Sequence, residues 1–380
     1  MTRWLIVAGD FTPLGGMDAA NHALAGYLAA RGDVHLVTHR AWPDLASLPS
    51  VTLHQVPRPL GKHALGSALL SRAGRRVWRQ LRPSGVHAVV NGGNCRLAAA
   101  NWVHYLHAAY VPSIAGSLLH RSKVSLTHRR DLADERMALR EARIVICNSH
   151  RTRDDVIAQI GVEAAKAHVV YYGSDPIRFG LVGDAERIAA KSALGAAPDR
   201  PLVGFIGALG DRRKAFDTVF DAWRTLCARS DWDATLMVVG AGAELAAWRR
   251  RASDAGIADR FCFAGFRQDV PAILAALDGL VHPARYEAYG LSVHEAICRG
   301  VPAIVSATAG IAELYPTELA DLLVRDPNDA GELAERLTMW RRNLARLRMQ
   351  VLPFSGRLRA HTWDSMAARI AELVEQADAA

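Results

Sequence analysis

Apolar and polar positions fall into blocks along this chain. Short apolar runs of strand length occur at 4–9, 34–38, 51–56, 88–91, 102–106, 144–149 and 168–172. They recur at 202–207, 234–239, 261–267, at the start of 280–313, and at 322–324. Helical spacing separates them, over 18–31, 62–82, 115–143, from 151 onward, over 186–195, up to about 228 and 255, and over 270–276. The stretch 330–376 reads as helical. Strand–helix alternation in both halves predicts an α/β protein of two doubly wound, Rossmann-like domains. Gly173-Ser-Asp-Pro176 breaks the chain between them. The expected domains are therefore 1–174 and 175–360. A chain of 380 residues is long enough for two cores.

Charge adds a second pattern. The net +8 is uneven: residues 1–180 hold 22 Lys and Arg against 12 Asp and Glu, and residues 181–380 hold 24 against 26. Between Asp44 and Asp131 there are twelve Lys or Arg and no carboxylate. Arg72, Arg75, Arg76, Arg79 and Arg82 crowd the second half of the helix at 62–82, which Pro83 ends. Three readings stay open: a solvated basic surface, contact with an anionic membrane, or an anionic acceptor substrate. The five Cys have no metal or disulfide spacing and read as thiols in a reducing compartment. The first apolar run is too short for a signal peptide, and no run of eighteen apolar residues exists.

The richest chemistry lies in 280–313, read as strand, loop, short helix, strand and glycine turn. Glu287 and Glu295 stand eight residues apart, with Gly290 where the loop becomes a helix. A glycine at a helix start lets backbone N–H groups approach an anion. Paired glutamates beside it can grip a polyhydroxylated ligand whose phosphates rest on those amides. Gly15 and Gly16 join a strand to a helix, either as an anion site or as a tight turn without ligand. Neither they nor Gly240-Ala-Gly242 has the Gly-x-Gly-x-x-Gly spacing, which argues against a nicotinamide cofactor. Arg212, Arg213 and Lys214 follow the strand at 202–207 as a basic loop. His104 and His107 are three apart with no third metal ligand in sight. Asp231-Trp-Asp233 precedes a strand, away from the carboxyl edge where ligands bind open sheets.

The block around Glu287 resembles the nucleotide-sugar site of retaining GT-B glycosyltransferases, specifically glycosyltransferase family 4. That pattern runs Glu-Gly-Phe-Gly-Leu-Pro-x-x-Glu-Ala. Glu287, Gly290, Leu291, Glu295 and Ala296 match it, whereas Ala288, Tyr289 and Ser292 depart. Gly300-Val-Pro302 and Gly310-x-x-Glu313 extend the likeness. The resemblance implies a GT-B fold, with an acceptor-side domain and a nucleotide-sugar domain facing across a cleft. It also implies that the helix at 361–376 returns to the first domain through Trp363, Met366, Ile370, Leu373 and Val374.

The resemblance further implies residue roles. Lys214 and a nearby arginine hold the donor diphosphate. The family's arginine position is Ala208 here, so Arg212 or Arg213 stands in for it. The amides at Gly290 and Leu291 assist, Glu295 binds the ribose, and Glu287 binds the transferred sugar. His107 positions that sugar on the acceptor side. Gly15 and Gly16 lie near the donor phosphates, Gly240 gives the nucleotide close backbone access, and Phe266 and Arg267 meet the base. The implied reaction moves a hexose-type sugar from a nucleoside-diphosphate sugar to an acceptor hydroxyl, with retention and without metal or other cofactor. The expected setting is cytoplasmic assembly of a cell-surface glycan or glycolipid, with an anionic or lipid-linked acceptor, contact with the inner membrane face and no nucleic acid. Decoration of a small natural product, a nucleotide-sugar epimerase and a non-catalytic nucleotide-sugar or membrane-binding partner protein are the alternatives.

Overall fold

The computed structural model describes residues 2–61, 63–113 and 118–379. Position 62, where one helix is predicted to begin, and positions 115–117 of another lie outside them. The chain divides into two compact units. One comprises Met1–Val111, Ser117–Gly173 and His361–Ala380; the other comprises Pro112–Gly116 and Ser174–Ala360.

The first unit opens with β1 (Thr2–Val7), β2 (Asp10–Phe11), α1 (Met17–Ala29), β3 (Gly32–Thr38), β4 (Arg40–Ala41), α2 (Pro43–Ala46) and β5 (Val51–Gln55). It continues through α3 (His63–Leu81), β6 (Val86–Asn91), β7 (Ala100–Val103), α4 (Leu118–Glu141), β8 (Ile144–Cys147), α5 (His150–Asp155) and β9 (Ala167–Val169). Among the described residues, seven of these strands form a parallel sheet in the order β5-β3-β1-β6-β7-β8-β9. The order reverses between β1 and β6, which are neighbours. Trp4–Val7 is buried without polar interruption, as a central parallel strand covered on both faces requires. Gly74 lets α3 lie close on the sheet: a Cβ there would stand 2.9 Å from Val7 Cγ1 and 3.0 Å from Cys95 Sγ.

The second unit follows the same plan. It runs α6 (Asp184–Ala193), β10 (Leu202–Ile206), α7 (Phe216–Cys227), β11 (Thr235–Val239), α8 (Leu245–Asp254), β12 (Phe261–Gly265) and α9 (Val270–Ala276). Then come β13 (Gly279–His282), α10 (Leu291–Cys298), β14 (Ala303–Ser306), β15 (Leu323–Val324), α11 (Ala330–Arg342) and α12 (Leu344–Ala360). The parallel sheet is ordered β12-β11-β10-β13-β14-β15, reversing between β10 and β13. Ligands of such sheets bind beyond the strand ends at this reversal. α13 (Trp363–Ala379) belongs to the first unit, where Met366, Ile370, Leu373 and Val374 are buried.

The structure refines two sequence expectations and adds an element. The stretch 330–376 is three helices, broken at Asn343 and at His361-Thr362. β7 occupies 100–103, because its pairing with β8 runs from Ala100 to Val103 and stops where β8 ends at Cys147. His104 to Leu106 therefore follow the strand instead of continuing it. A two-residue ribbon, β2 with β4, is too short to leave a periodic signal. Among the described residues no helix is long and apolar enough to cross a membrane.

Gly279 on β13 faces the indole of the buried Trp340, and a Cβ there would lie 2.7 Å from the ring. An indole locked in a core cannot move aside. Gly279→Ala should destabilise the chain by about 1–3 kcal/mol through overpacking, read as a lower denaturation midpoint in tryptophan fluorescence. An unchanged midpoint would contradict this packing.

Candidate functional site

In the second unit the reversal between β10 and β13 gathers the charged residues. A short 3-10 turn, Arg212–Lys214, follows β10 and is capped by the Asp211 carboxylate, which accepts from the Arg213 N–H. Ala215 then adopts φ 54°, the left-handed region, while fully buried. It is the one non-glycine residue with positive φ among those described. Non-glycine residues avoid this region because Cβ crowds the backbone, and such strain persists only where the surroundings hold it. Here the turn directs Lys214 inward.

The surroundings are a loop after β13. The Arg285 N–H donates to the Arg213 carbonyl at 2.8 Å. The Arg285 guanidinium forks onto Asp217 at 2.8 and 3.0 Å and reaches the Arg212 carbonyl at 2.5 Å. Arg213 Nη1 donates to the Tyr286 carbonyl at 3.3 Å. Gly310 and Ile311 donate their N–H groups to the carbonyls of Glu287 and Tyr289 at 3.1 and 2.7 Å. Two basic-loop carbonyls, of Arg212 and Arg213, and three carbonyls of the stretch 286–289 are thus fixed.

At the centre Lys214 is ion-paired with Glu287, and His282 Nε2 lies 2.8 Å from Glu287 Oε2. His282 is 1% exposed at its side chain, Glu287 12% and Lys214 14%. With both neighbours in place, the imidazole Nε2–H donates to the carboxylate, since a bare nitrogen there would repel it. Lys214 Nζ, 3.4 Å from the same nitrogen, is then a contact and not its donor. Burial alone would push the Glu287 carboxyl up, but the Lys214 ammonium and His282 hold it well below the usual carboxylate range. Burial lowers Lys214, and Glu287 opposes that. Burial, aided by the Lys214 charge, also lowers His282.

Gly290 caps α10 with φ 111°, and a Cβ there would lie 3.0 Å from Ile311 Cγ2 and 3.4 Å from Glu287 Cγ. Glycine is therefore required by both conformation and space. The N–H groups of Leu291 and Ser292 are left open at the helix start among the described residues. Tyr289, where the family pattern has Phe, is buried and places its hydroxyl 2.7 Å from His294 Nδ1. Glu295, one turn into α10, is half-buried and makes no side-chain hydrogen bond among the described residues. Burial pushes its carboxyl up to about 8, against the pull of Arg178.

The remaining expected residues of this unit stand apart from that centre. Arg212 is half-exposed, 3.9 Å from Asp217. Phe266 is 70% exposed just after β12, and Arg267 pairs with Asp269. Gly240 has φ 149°, and a Cβ there would fall 1.9 Å from the Gly207 carbonyl oxygen, so only glycine fits this close approach. Asp231 and Asp233 make surface ion pairs with Arg229 and Arg341.

In the first unit His107 opens a 3-10 turn after β7. Its N–H and Nδ1 meet Glu135 Oε1 at 2.9 and 3.0 Å, and the Ala108 N–H meets Oε2 at 3.1 Å. Glu135 is 1% exposed. Burial works against a charged His107 ring, but the Glu135 carboxylate outweighs it and raises the pKa. His104 is a buried neighbour of Tyr172, with Nδ1 2.5 Å from the hydroxyl; burial lowers its pKa to about 3. Gly15 has φ 82° in open space and Gly16 caps α1. Beside them Asp10 accepts from Arg40 and Arg58, each at 3.3 Å. The Asp18 carboxyl is pushed up to about 6 by burial and by Asp10. Among the described residues no three His, Cys, Asp or Glu side chains are grouped so as to hold a metal ion.

Sequence reasoning missed Glu135, His282, Arg285 and Arg178. Only His282 had a visible signal, a histidine closing an apolar run directly before a proline.

Residues 14–178 match the family model described as Glycosyltransferase Family 4, and residues 200–343 match that described as Glycosyl transferases group 1. The chain is 29% identical over 358 residues to the 2-deoxystreptamine N-acetyl-D-glucosaminyltransferase of Streptomyces fradiae, covering 85% of this chain and 81% of that protein. It is 34% identical over 172 residues to the lipopolysaccharide core biosynthesis mannosyltransferase LpsB of Rhizobium meliloti, covering 43% and 48%. The Anabaena protein Alr3699/HepE, solved in complex with UDP and glucose, superposes with a TM-score of 0.74 at 19% identity over 99% of each chain. The two sheets with their shared strand order, and the two family matches, make this chain a glycosyltransferase of the GT-B fold, related to the family 4 enzymes.

Proposed function

We propose that this glycosyltransferase takes its sugar from a nucleoside-diphosphate sugar and transfers it to an acceptor hydroxyl with retention of configuration. The observation that carries the reading is the Lys214–Glu287 pair beside the open N-terminus of α10. In this reading Lys214, Arg213 or Arg212, and the Gly290 and Leu291 amides receive the diphosphate, whose negative charge grows as the bond to the sugar breaks. These cations and amides meet that charge without a metal. Glu295 accepts the ribose hydroxyls, Glu287 the hydroxyls of the transferred sugar, and the exposed Phe266 ring with Arg267 meets the base. The acceptor oxygen bonds to the anomeric carbon on the face the diphosphate leaves, and its proton passes to the departing phosphate oxygen. His107, oriented by Glu135, positions the sugar, and Gly15 and Gly16 serve the donor phosphates.

For the acceptor we favour an anionic or lipid-linked glycan, because residues 45–130 present twelve cations and no carboxylate. The similarity to a lipopolysaccharide core enzyme supports this. Contact with an anionic membrane follows from the same charge. A second reading, a small aminated acceptor, is favoured by the relative acting on 2-deoxystreptamine and by the Asp18 carboxylate in the first turn of α1, just after Gly15 and Gly16. Mass spectrometry of products from both acceptor classes separates the two.

Release of nucleoside diphosphate from a panel of UDP-, GDP-, ADP- and dTDP-sugars tests the donor reading. One donor should be consumed, with or without chelator, and Lys214→Ala should lower kcat/KM about a hundred- to a thousandfold. Near-normal turnover by Lys214→Ala would remove that residue from the mechanism.

Glu295 supplies a pH test. Its folded pKa, about 8, lies above the unfolded value near 4.5, so the folded state holds a proton that the unfolded state releases in between. Stability should therefore fall as pH rises through that window. Ribose hydroxyls donate to the ionised form, so donor binding near pH 7 should release protons and tighten toward pH 8. Calorimetry in two buffers of different ionisation enthalpy reads this release, which Glu295→Gln should abolish. Equal proton release by both proteins would contradict the ribose role.

A further inference from the structure

In the first unit a groove of about 550 Å³ lies between α3, the segment before β7 and the end of α4. Arg72, Arg75, Trp78 and Arg79 line it from α3, Arg96 from the segment before β7, and Glu141 from α4. It sits where β7 and β8 begin, whereas His107 follows the end of β7. It is therefore separate from the strand-end residues already described for this unit.

Four guanidinium groups here face one carboxylate. Glu141 is taken by Arg96, which also reaches Met137 Sδ at 3.9 Å. Arg79 Nε donates to the Arg75 carbonyl, and the side chains of Arg72 and Arg75 make no hydrogen bond or ion pair among the described residues. Arg82 stacks on Trp78 at 4.9 Å, which holds one wall of the groove. With Arg76, the α3 arginines repeat at i, i+3, i+4 and i+7, so like charges face each other along one helix. Such repulsion destabilises the helix unless an anion relieves it. Guanidinium forks ranged along one helix match the several oxygens of a phosphoryl group better than a single carboxylate.

We propose that this groove is a second anion site, taking a phosphomonoester or diphosphate group that belongs to a lipid headgroup or to a soluble phosphorylated molecule. The site goes beyond the donor reading and does not rest on it. The volume exceeds that of one phosphate and leaves space for the group that carries it.

The test uses the full chain with two probes: inorganic pyrophosphate by calorimetry, and vesicles of phosphatidylcholine with or without phosphatidic acid by sedimentation. Pyrophosphate titrations are repeated with Lys214→Ala, so that binding at the proposed donor site is removed. Arg75→Gln with Arg79→Gln should weaken the remaining binding roughly ten- to a hundredfold, the loss of two charge-assisted contacts. Arg346→Gln with Arg249→Gln, exposed positions in the second unit, removes the same charge and should leave binding intact. A double variant with unchanged circular dichroism keeps a loss interpretable. Vesicle binding that needs phosphatidic acid assigns the lipid source, and pyrophosphate binding without vesicle binding assigns the soluble one. No binding of either probe, or equal loss in the control pair, overturns the proposal.

Discussion

The candidate site of the second unit depends on a buried charge being kept charged. A lysine withdrawn from water tends to lose its proton, and Glu287 opposes this for Lys214. The carboxylate in turn stays ionised because Lys214 and His282 both face it. Removing either partner would leave an uncompensated buried charge, which is far costlier than losing a surface pair. Everything around the pair holds it in place: the strained backbone at Ala215, the Arg285 strap onto Asp217, and the carbonyl contacts that pin 286–289. In the proposed reaction this same pair presents a cation to the diphosphate and a carboxylate to the sugar.

Both units solve the positioning problem in the same way. A parallel sheet reverses its order once, and the loops beyond the neighbouring strands β1 and β6, or β10 and β13, diverge at that reversal. Glycines then allow the close approaches. At Gly290 and at Gly240 alike the need is conformational and steric together, with φ 111° and 149°, and at Gly240 the Gly207 carbonyl fills the space a Cβ would take. A glycine beside a strand end is therefore not by itself a sign of ligand contact.

The fold was legible in sequence because central parallel strands are unbroken apolar runs and their helices carry an amphipathic period. The helix at 270–276 and the strands around 202–207 and 234–239 fall where the pattern puts them, within a residue. The passage from loop to helix at 287–296 was legible because Gly290 and the two glutamates stand at fixed spacing. Contacts between distant positions were not. Glu135 meets His107 across 28 residues, and Arg285 meets Asp217 across 68, through sheet geometry that no local pattern encodes. Breaks inside a continuously helical composition, such as those at Asn343 and His361, also leave little trace.

Backbone hydrogen–deuterium exchange with each nucleoside diphosphate of the four bases tests the placement of the donor site most directly. The account predicts that one nucleotide slows exchange at the Leu291 and Ser292 amides and in the turn at 212–216, and that Lys214→Ala removes this protection. A nucleotide that binds measurably, yet leaves α10 and that turn exchanging as before, would contradict it.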